Sequence, residues 1–220
     1  LYYPKTPYLF NVIEPSVLGK IYESFLAERL IISDGDVTLA KKNEYKNRSV
    51  VSTPIEIVKY MVKNTLEPIC EGKTPTDICK LKISDISCGS GVFLEETYQF
   101  LIDYCEKWYE ENEPTYLLEM NDGKKKLPLV DKRKIMTNCI YGVDIDIHAV
   151  EVSKFSLLLK LLEDETEPSV KAVAPILPNL DENILAGNSL ISDADISGMD
   201  LSIDELINIA PFDWNMINNG

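Results

Sequence analysis

The chain has 220 residues, 45% of them hydrophobic, with 36 acids against 22 bases and a net charge of −14. No apolar run approaches the roughly 18 residues of a membrane span, and the apolar content is too high for a disordered chain. So strong a negative charge also argues against a surface that grips nucleic acid by itself, because phosphate binding is driven by Lys and Arg.

The N-terminal LYYPKTPYLF has neither the basic start nor the long apolar core of a signal peptide, so a cytoplasmic location is the default expectation. Cys70, Cys79, Cys88, Cys105 and Cys139 are scattered and form no C-x-x-C pair. With His148 as the single histidine, they read as reduced, mostly buried thiols, and no metal site is expected.

Residues 15–31, PSVLGKIYESFLAERLI, place Val17, Leu18, Ile21, Tyr22, Phe25, Leu26 and Leu30 on one helical stripe behind Pro15. A polar loop with room for a short hairpin follows over 33–49. Thr53-Pro54-Ile55-Glu56 then predicts a second helix: Thr53 as cap, Pro54 in the first turn, Glu56 reaching back. Its apolar face is Ile57, Val58, Met61, Val62 and Leu66, with Pro68 just past its end.

From residue 81 the pattern becomes strand (KISDIS), tight turn (CGSG) and helix (VFLEETYQFLIDYCEKW). Residues 109–134 read as a polar excursion from the core with room for helical pieces, and Lys124–Lys126, Lys132, Arg133 and Lys134 as solvated loop charges rather than phosphate contacts. A second strand, CIYGVD (139–144), leads into a helix with Ala149, Val152, Phe155, Ser156, Leu159 and Leu162 inward. A third short strand lies in ENILAGNSLI (182–191), and the tail is acidic and irregular until PFDW (211–214). The expected fold is α/β: an N-terminal helical segment over 1–50, then the opening half of a parallel, doubly wound sheet over 51–220.

Each strand ends in a group that can meet a ligand. At Gly89-Ser90-Gly91, glycines let backbone amides approach a bound molecule at a helix N-terminus, although a turn needing only positive φ would use the same residues. Asp85 strengthens the ligand reading. Asp144 stands where open sheets place an acid on a ribose diol, although the usual spacing from the glycines is about 20 residues and the excursion must account for the rest. A capping aspartate is the alternative, and Asp146 can fill that role instead. Asn188-Ser189 offers an amide and a hydroxyl that can read an adenine edge, or an ordinary turn. Three such strand ends together describe a pocket for a ribose-linked base. His148 reads as a helix-surface histidine.

The succession Thr53-Pro54, D-I-S-C-G-S-G-V-F-L over 85–94, Y-G-V-D-I-D over 141–146 and Gly187-Asn188-Ser189-Leu190 resembles the N6-adenine-specific DNA methyltransferases of restriction–modification systems. The nearest likeness is to type IIG and type I methylases. EPSVLGKIYESFL and IYGVDIDIHAVEVSKFSLLLKLL extend it over most of residues 12–215. It implies a partial Rossmann-like sheet that binds S-adenosyl-L-methionine. Thr53, Pro54 and the loop before them would serve the methionine end, and Asp85, Ser87, Cys88, Gly89 and Gly91 would cradle it. Phe93 and Asp85 would suit the sulfonium charge. Asp144 would take the ribose hydroxyls, Ile145 the adenine face, and Asn188 with Ser189 the adenine edge.

Three departures qualify the match. Val50-Val51-Ser52 stand where the family often has aromatic and glycine residues, and Asp146-Ile147 replaces a common Asp-Pro. The catalytic Asn/Asp-Pro-Pro-aromatic motif is absent from residues 1–220. The resemblance therefore places catalytic residues beyond Gly220, together with the regions that contact double-stranded DNA and any restriction or specificity domain or subunit. Residues 1–220 are expected to be inactive alone. The alternatives are a methyltransferase of RNA or of protein glutamine, and a non-catalytic cofactor-binding or assembly module.

Overall fold

The computed structural model describes Val17, Gly19, Ile21 and Tyr22, and then residues 28–33, 36–41, 53–120, 123–165, 169–170, 173 and 175–218. Val17, Gly19, Ile21 and Tyr22 are helical, but the helix expected through Ile31 gives way to a hairpin. Strand β1 (Glu28–Ser33) pairs antiparallel with β2 (Asp36–Lys41), from Glu28 opposite Lys41 to Ser33 opposite Asp36. The sequence carried the signal: Ile31 and Ile32 favour a strand, and Asp34-Gly35 is a two-residue hairpin dipeptide. Leu18, Phe25, Leu26 and Val50–Ser52 lie outside the described residues.

Helix α1 (Ile55–Cys70) is capped at Pro54 with no side-chain bond, so the expected Thr53–Glu56 capping box does not form. Ile57 and Val58 instead donate their N–H groups to the Pro54 carbonyl at 2.9 and 3.1 Å. Val58, Val62, Leu66 and Cys70, spaced by four, form the buried stripe, while Ile57 and Met61 are exposed. Pro68 lies inside the last turn rather than beyond it. The short α2 (Pro75–Ile78) leads into strand β3 (Ile83–Asp85).

Helix α3 (Val92–Asn112) is longer than expected, and in the segment after it Leu117 and Leu127 are buried against the core. This segment holds the small antiparallel pair β4 (Leu118–Glu119) and β5 (Lys125–Lys126), then helix α4 (Leu129–Cys139). Strand β6 (Ile140–Asp144), helix α5 (Ile147–Leu162) and strand β7 (Ile184–Ala186) complete a parallel sheet in the order β3–β6–β7. The first four residues of β6 are buried, as befits a central parallel strand covered on both faces. The core joins Leu94, Tyr98 and Leu101 of α3 to Ile135 of α4 and Leu157 and Leu161 of α5.

The inner face of α5 agrees with expectation in part: Ala149 and Ser156 are buried as expected, with Val150, Ser153, Leu157 and Leu161, whereas Phe155, expected inside, is 48% exposed. Small residues are needed there because the Gly91 turn packs against the helix, and a Cβ on Gly91 would lie 2.5 Å from Ser153 Oγ. In the tail, Ser202 and Glu205 form a full capping box that starts helix α6 (Ile203–Ile209), where irregular chain was expected. A last short helix, α7 (Asn215–Asn218), follows.

The basic cluster also departs from its reading as a solvated loop. Lys126 and Lys132 are buried and flank the Glu165 carboxylate, at 3.0 Å to Oε2 and 2.9 Å to Oε1. Ser169 Oγ donates to Oε2 as well, and Lys126 donates to the Asp164 carbonyl. Burial would raise the Glu165 pKa, but these partners hold it below the usual carboxylate range. The cluster fastens the end of α5 to β5 and α4. Replacing Glu165 with Ala would leave two buried ammonium groups without their counter-ion. The expected loss is about 3–5 kcal/mol of stability, to be read from chemical unfolding of parent and variant.

Candidate functional site

The parallel register brings the carboxyl ends of the strands together: Asp85 lies opposite Gly142, and Asp144 opposite Ala186. Beyond these ends lies an open cavity of about 1270 Å³. Its walls come from the segment after β3, the start of α5, one side of α1, and the end of α6. A cleft outside the carboxyl ends of parallel strands is where such sheets hold ligands.

The turn after β3 is shaped by two glycines in the left-handed region, Gly89 at φ +53° and Gly91 at φ +94°. Gly91 caps α3 and abuts Ser153. A Cβ on Gly89 would meet nothing within 4 Å, so φ rather than space requires glycine there. Cys88 N–H donates to the Val143 carbonyl at 3.0 Å, which ties the turn to β6. The Cys88 thiol is pushed well up, by burial first and then by the charges of Asp144 and Asp85, so it is an inert packing group.

Asp144 organises the floor. Its Oδ2 accepts Gly89 N–H at 2.8 Å and its Oδ1 accepts Asp146 N–H at 2.9 Å. Each oxygen keeps a second lone pair for a ligand hydroxyl. Asp146 is the cap of α5, accepting His148 N–H at 2.9 Å on Oδ1, so capping and ligand contact fall to different aspartates. Asp146 Oδ2 accepts the Tyr22 hydroxyl at 2.7 Å. Burial would raise the Asp146 pKa, but the Tyr22 and backbone hydrogen bonds hold it low. Asp85 accepts Ser87 N–H at 3.0 Å, and its pKa is raised, by burial first and also by the charge of Asp144.

Thr53, Asp85, Ser87, Cys88, Gly89, Phe93, Asp144 and Ile145 all line the cavity; Pro54, Gly91, Asn188 and Ser189 do not. Asn188 sits beside it: its N–H donates to the Ala210 carbonyl at 2.6 Å, and its side-chain oxygen accepts Leu190 N–H at 3.2 Å. It also forms a parallel bridge with Pro211. Trp214 Nε1 donates to the Ser189 carbonyl, and Phe212 packs under Gly187, so PFDW buttresses the end of β7. Tyr22 from the N-terminal segment, Met61 and Thr65 of α1, and Ile207 and Asn208 of α6 also line the cavity. None of these was expected. The capping box of α6 was legible, but no local pattern brings that helix to this cavity.

Among the described residues, the ionisable side chains of the lining are Asp85, Asp144 and Asp146, the neutral Tyr22 and Cys88, and His148; no Lys or Arg belongs to it. No set of three or more metal-ligating side chains occurs among the described residues, and none of their helices is long and apolar enough to cross a membrane. The cavity therefore suits a ligand that carries hydroxyls and positive charge, and it disfavours one that carries several phosphates.

Residues 138–218 match the Eco57I restriction-modification methylase family. Over 97% of its length the chain is 42% identical to RM.Eco57I, a type II restriction enzyme and methyltransferase of Escherichia coli. Over 88% of its length it is 30% identical to a Methanocaldococcus jannaschii relative named "Putative type II restriction enzyme and methyltransferase RM.MjaORFECS2P". The chain spans about a fifth of the length of these curated relatives.

The raised pKa of Asp85 gives a prediction with a definite sign. An acid whose folded pKa exceeds its unfolded value costs stability when ionised, and that cost fades as pH falls through the folded pKa. Asp85→Asn keeps an acceptor for Ser87 N–H and removes the charge. The ligand-free variant is expected to melt a few degrees above the parent at pH 8, with the gap closing toward pH 4. Thermal unfolding across that range checks it.

Proposed function

We propose that this chain, a restriction–modification methylase-like protein by its family and relatives, forms the S-adenosylmethionine-binding part of a DNA methyltransferase within a restriction–modification enzyme. Its sheet would be the leading half of a Rossmann-like methyltransferase fold, and the target would be adenine N6. One observation carries the reading: Asp85, Asp144 and the Gly89 turn converge on a single cavity whose described charged groups are acids. S-adenosylmethionine offers that cavity two cations, a sulfonium and an ammonium, together with a ribose diol and an adenine.

When bound, the cofactor supplies an electrophilic methyl group. Asp144 would receive the two ribose hydroxyls on the lone pairs its backbone bonds leave, and those bonds hold the carboxylate in place beforehand. Ile145, 56% exposed at the cavity wall, gives the adenine an apolar face. Asp85, Ser87, Cys88 and Gly89 would hold the methionine end together with Thr53 and Pro54, and Phe93 would suit the sulfonium charge. Asn188, next to the cavity rather than in its wall, would offer its side-chain amide to the adenine edge, with Ser189 adjoining.

Methyl transfer to an exocyclic amine needs two acceptors that localise the nitrogen lone pair, and a stacking surface for a base swung out of the duplex. An Asn/Asp-Pro-Pro-aromatic tetrapeptide supplies both, and residues 1–220 contain no Pro-Pro pair. That chemistry, the contacts to double-stranded DNA and any restriction or specificity function therefore belong to other parts of the enzyme. The net charge of −14 is consistent with a cofactor-holding part that leaves the DNA grip elsewhere.

Calorimetry with S-adenosylmethionine is expected to show one site, with no heat from ATP at the same concentrations. Asp144→Asn, checked for native circular dichroism, should weaken binding at least tenfold. Unchanged affinity in that variant would remove the ribose assignment. Labelled methyl transfer to duplex DNA, with the product base identified after digestion, tests the rest. The full-length enzyme should yield N6-methyladenine, and residues 1–220 alone should yield nothing.

A further inference from the structure

The expected division at residue 50 sets the N-terminal segment apart from the cofactor site, yet two contacts join them. Gly19 is buried against the glycine turn, where a Cβ on it would lie 2.8 Å from Ser90 Oγ. One helical turn further on, the Tyr22 hydroxyl donates to Asp146 Oδ2 at 2.7 Å, and the ring forms part of the cavity wall. Gly19 and Tyr22 are spaced by three, so they share one helix face, and that face meets both the β3–α3 turn and the β6–α5 turn.

We propose that Tyr22 is a positioning residue of the cofactor cavity: its bond to Asp146 fastens the N-terminal helical turn across the two strand-end turns, making that segment a wall of the site. Asp146 suits this purpose because its other oxygen is committed to the cap of α5, which holds the carboxylate rigid. Burial and the neighbouring acids keep the phenol protonated, so it remains a donor throughout the working pH range. Gly19 explains the fit, since any side chain there would push the helix off Ser90. The consequence for a bound ligand rests on the cofactor reading above; the fastening itself does not.

The test uses the full chain and Tyr22→Phe, which keeps the ring and removes the donor. Without ligand, hydrogen exchange at the amides of residues 19–22 should accelerate about tenfold, while the buried amides of α3 and the melting temperature stay unchanged. With S-adenosylmethionine, stopped-flow dissociation should be roughly tenfold faster in Tyr22→Phe. Asp146→Ala, which removes the acceptor together with the α5 cap, should also speed dissociation, and adding Tyr22→Phe to it should bring no further acceleration, because the shared bond is already gone. Unchanged exchange at 19–22 in Tyr22→Phe would overturn the fastening, and unchanged dissociation would overturn its role in the cavity. A parent protein that fails to bind S-adenosylmethionine would instead overturn the cofactor reading, leaving the exchange result to decide the fastening on its own.

Discussion

At the end of the central strand, one carboxylate receives backbone N–H groups from two different turns, Gly89 from the β3–α3 connection and Asp146 from the β6–α5 connection. Both turns would otherwise carry unpaired donors at the mouth of a cavity, where leaving them unsatisfied is costly. Asp144 satisfies them and thereby fixes their relative position. The left-handed Gly89 and Gly91 follow from this arrangement, because the chain must fold back sharply to present an amide to β6 and still enter α3. The small residues on α5 follow in turn, since the turn comes so close that a Cβ on Gly91 would strike Ser153.

What was legible in the sequence was the part governed by local pattern. Strand, glycine turn and helix at 83–112, strand and helix at 140–162, and the short strand at 184–186 all lie near their expected places. Asp146 takes the capping role and leaves Asp144 to face the cavity. The misses have two causes, a local hairpin signal at 28–41 hidden under a helical stripe and, elsewhere, tertiary contact. The helical stripe at 17–30 was apolar enough for either structure, and pairing with residues 36–41 turned its end into a strand. On α5, Ala149 and Ser156 lie inside as expected, but the Gly91 turn comes against Ser153 instead, and Phe155 lies outside. Lys126 and Lys132 read as solvent charges because Glu165, distant in sequence, gave no local sign that it would be buried between them.

Tyr22 shows the same limit from the functional side. Periodicity placed it on an apolar stripe, as a core residue would be, and its ring does cover part of the molecule. Its hydroxyl, however, ends at Asp146, 124 positions away. Only the folded arrangement shows that a residue outside the α/β domain as first drawn is in contact with the capping acid of α5.

Two buried carboxylates illustrate how the molecule separates structural charge from charge held for a ligand. Glu165 has a side chain only 1% exposed, yet its pKa is lowered, because Lys126, Lys132 and Ser169 surround it. The Asp85 pKa is raised, by burial first and then by the charge of Asp144, with the Ser87 N–H working against the rise. Burial pushes both acids up, and the partners decide whether that push is overcome. An acid with its cations already in place contributes to the fold, whereas an acid raised against its neighbour gains most from a cation that arrives from outside. The first kind lies where the excursion is pinned to α5, and the second lies at the strand ends beside Asp144. That asymmetry favours a positively charged ligand at the glycine turn, and it follows from this chain's own charges.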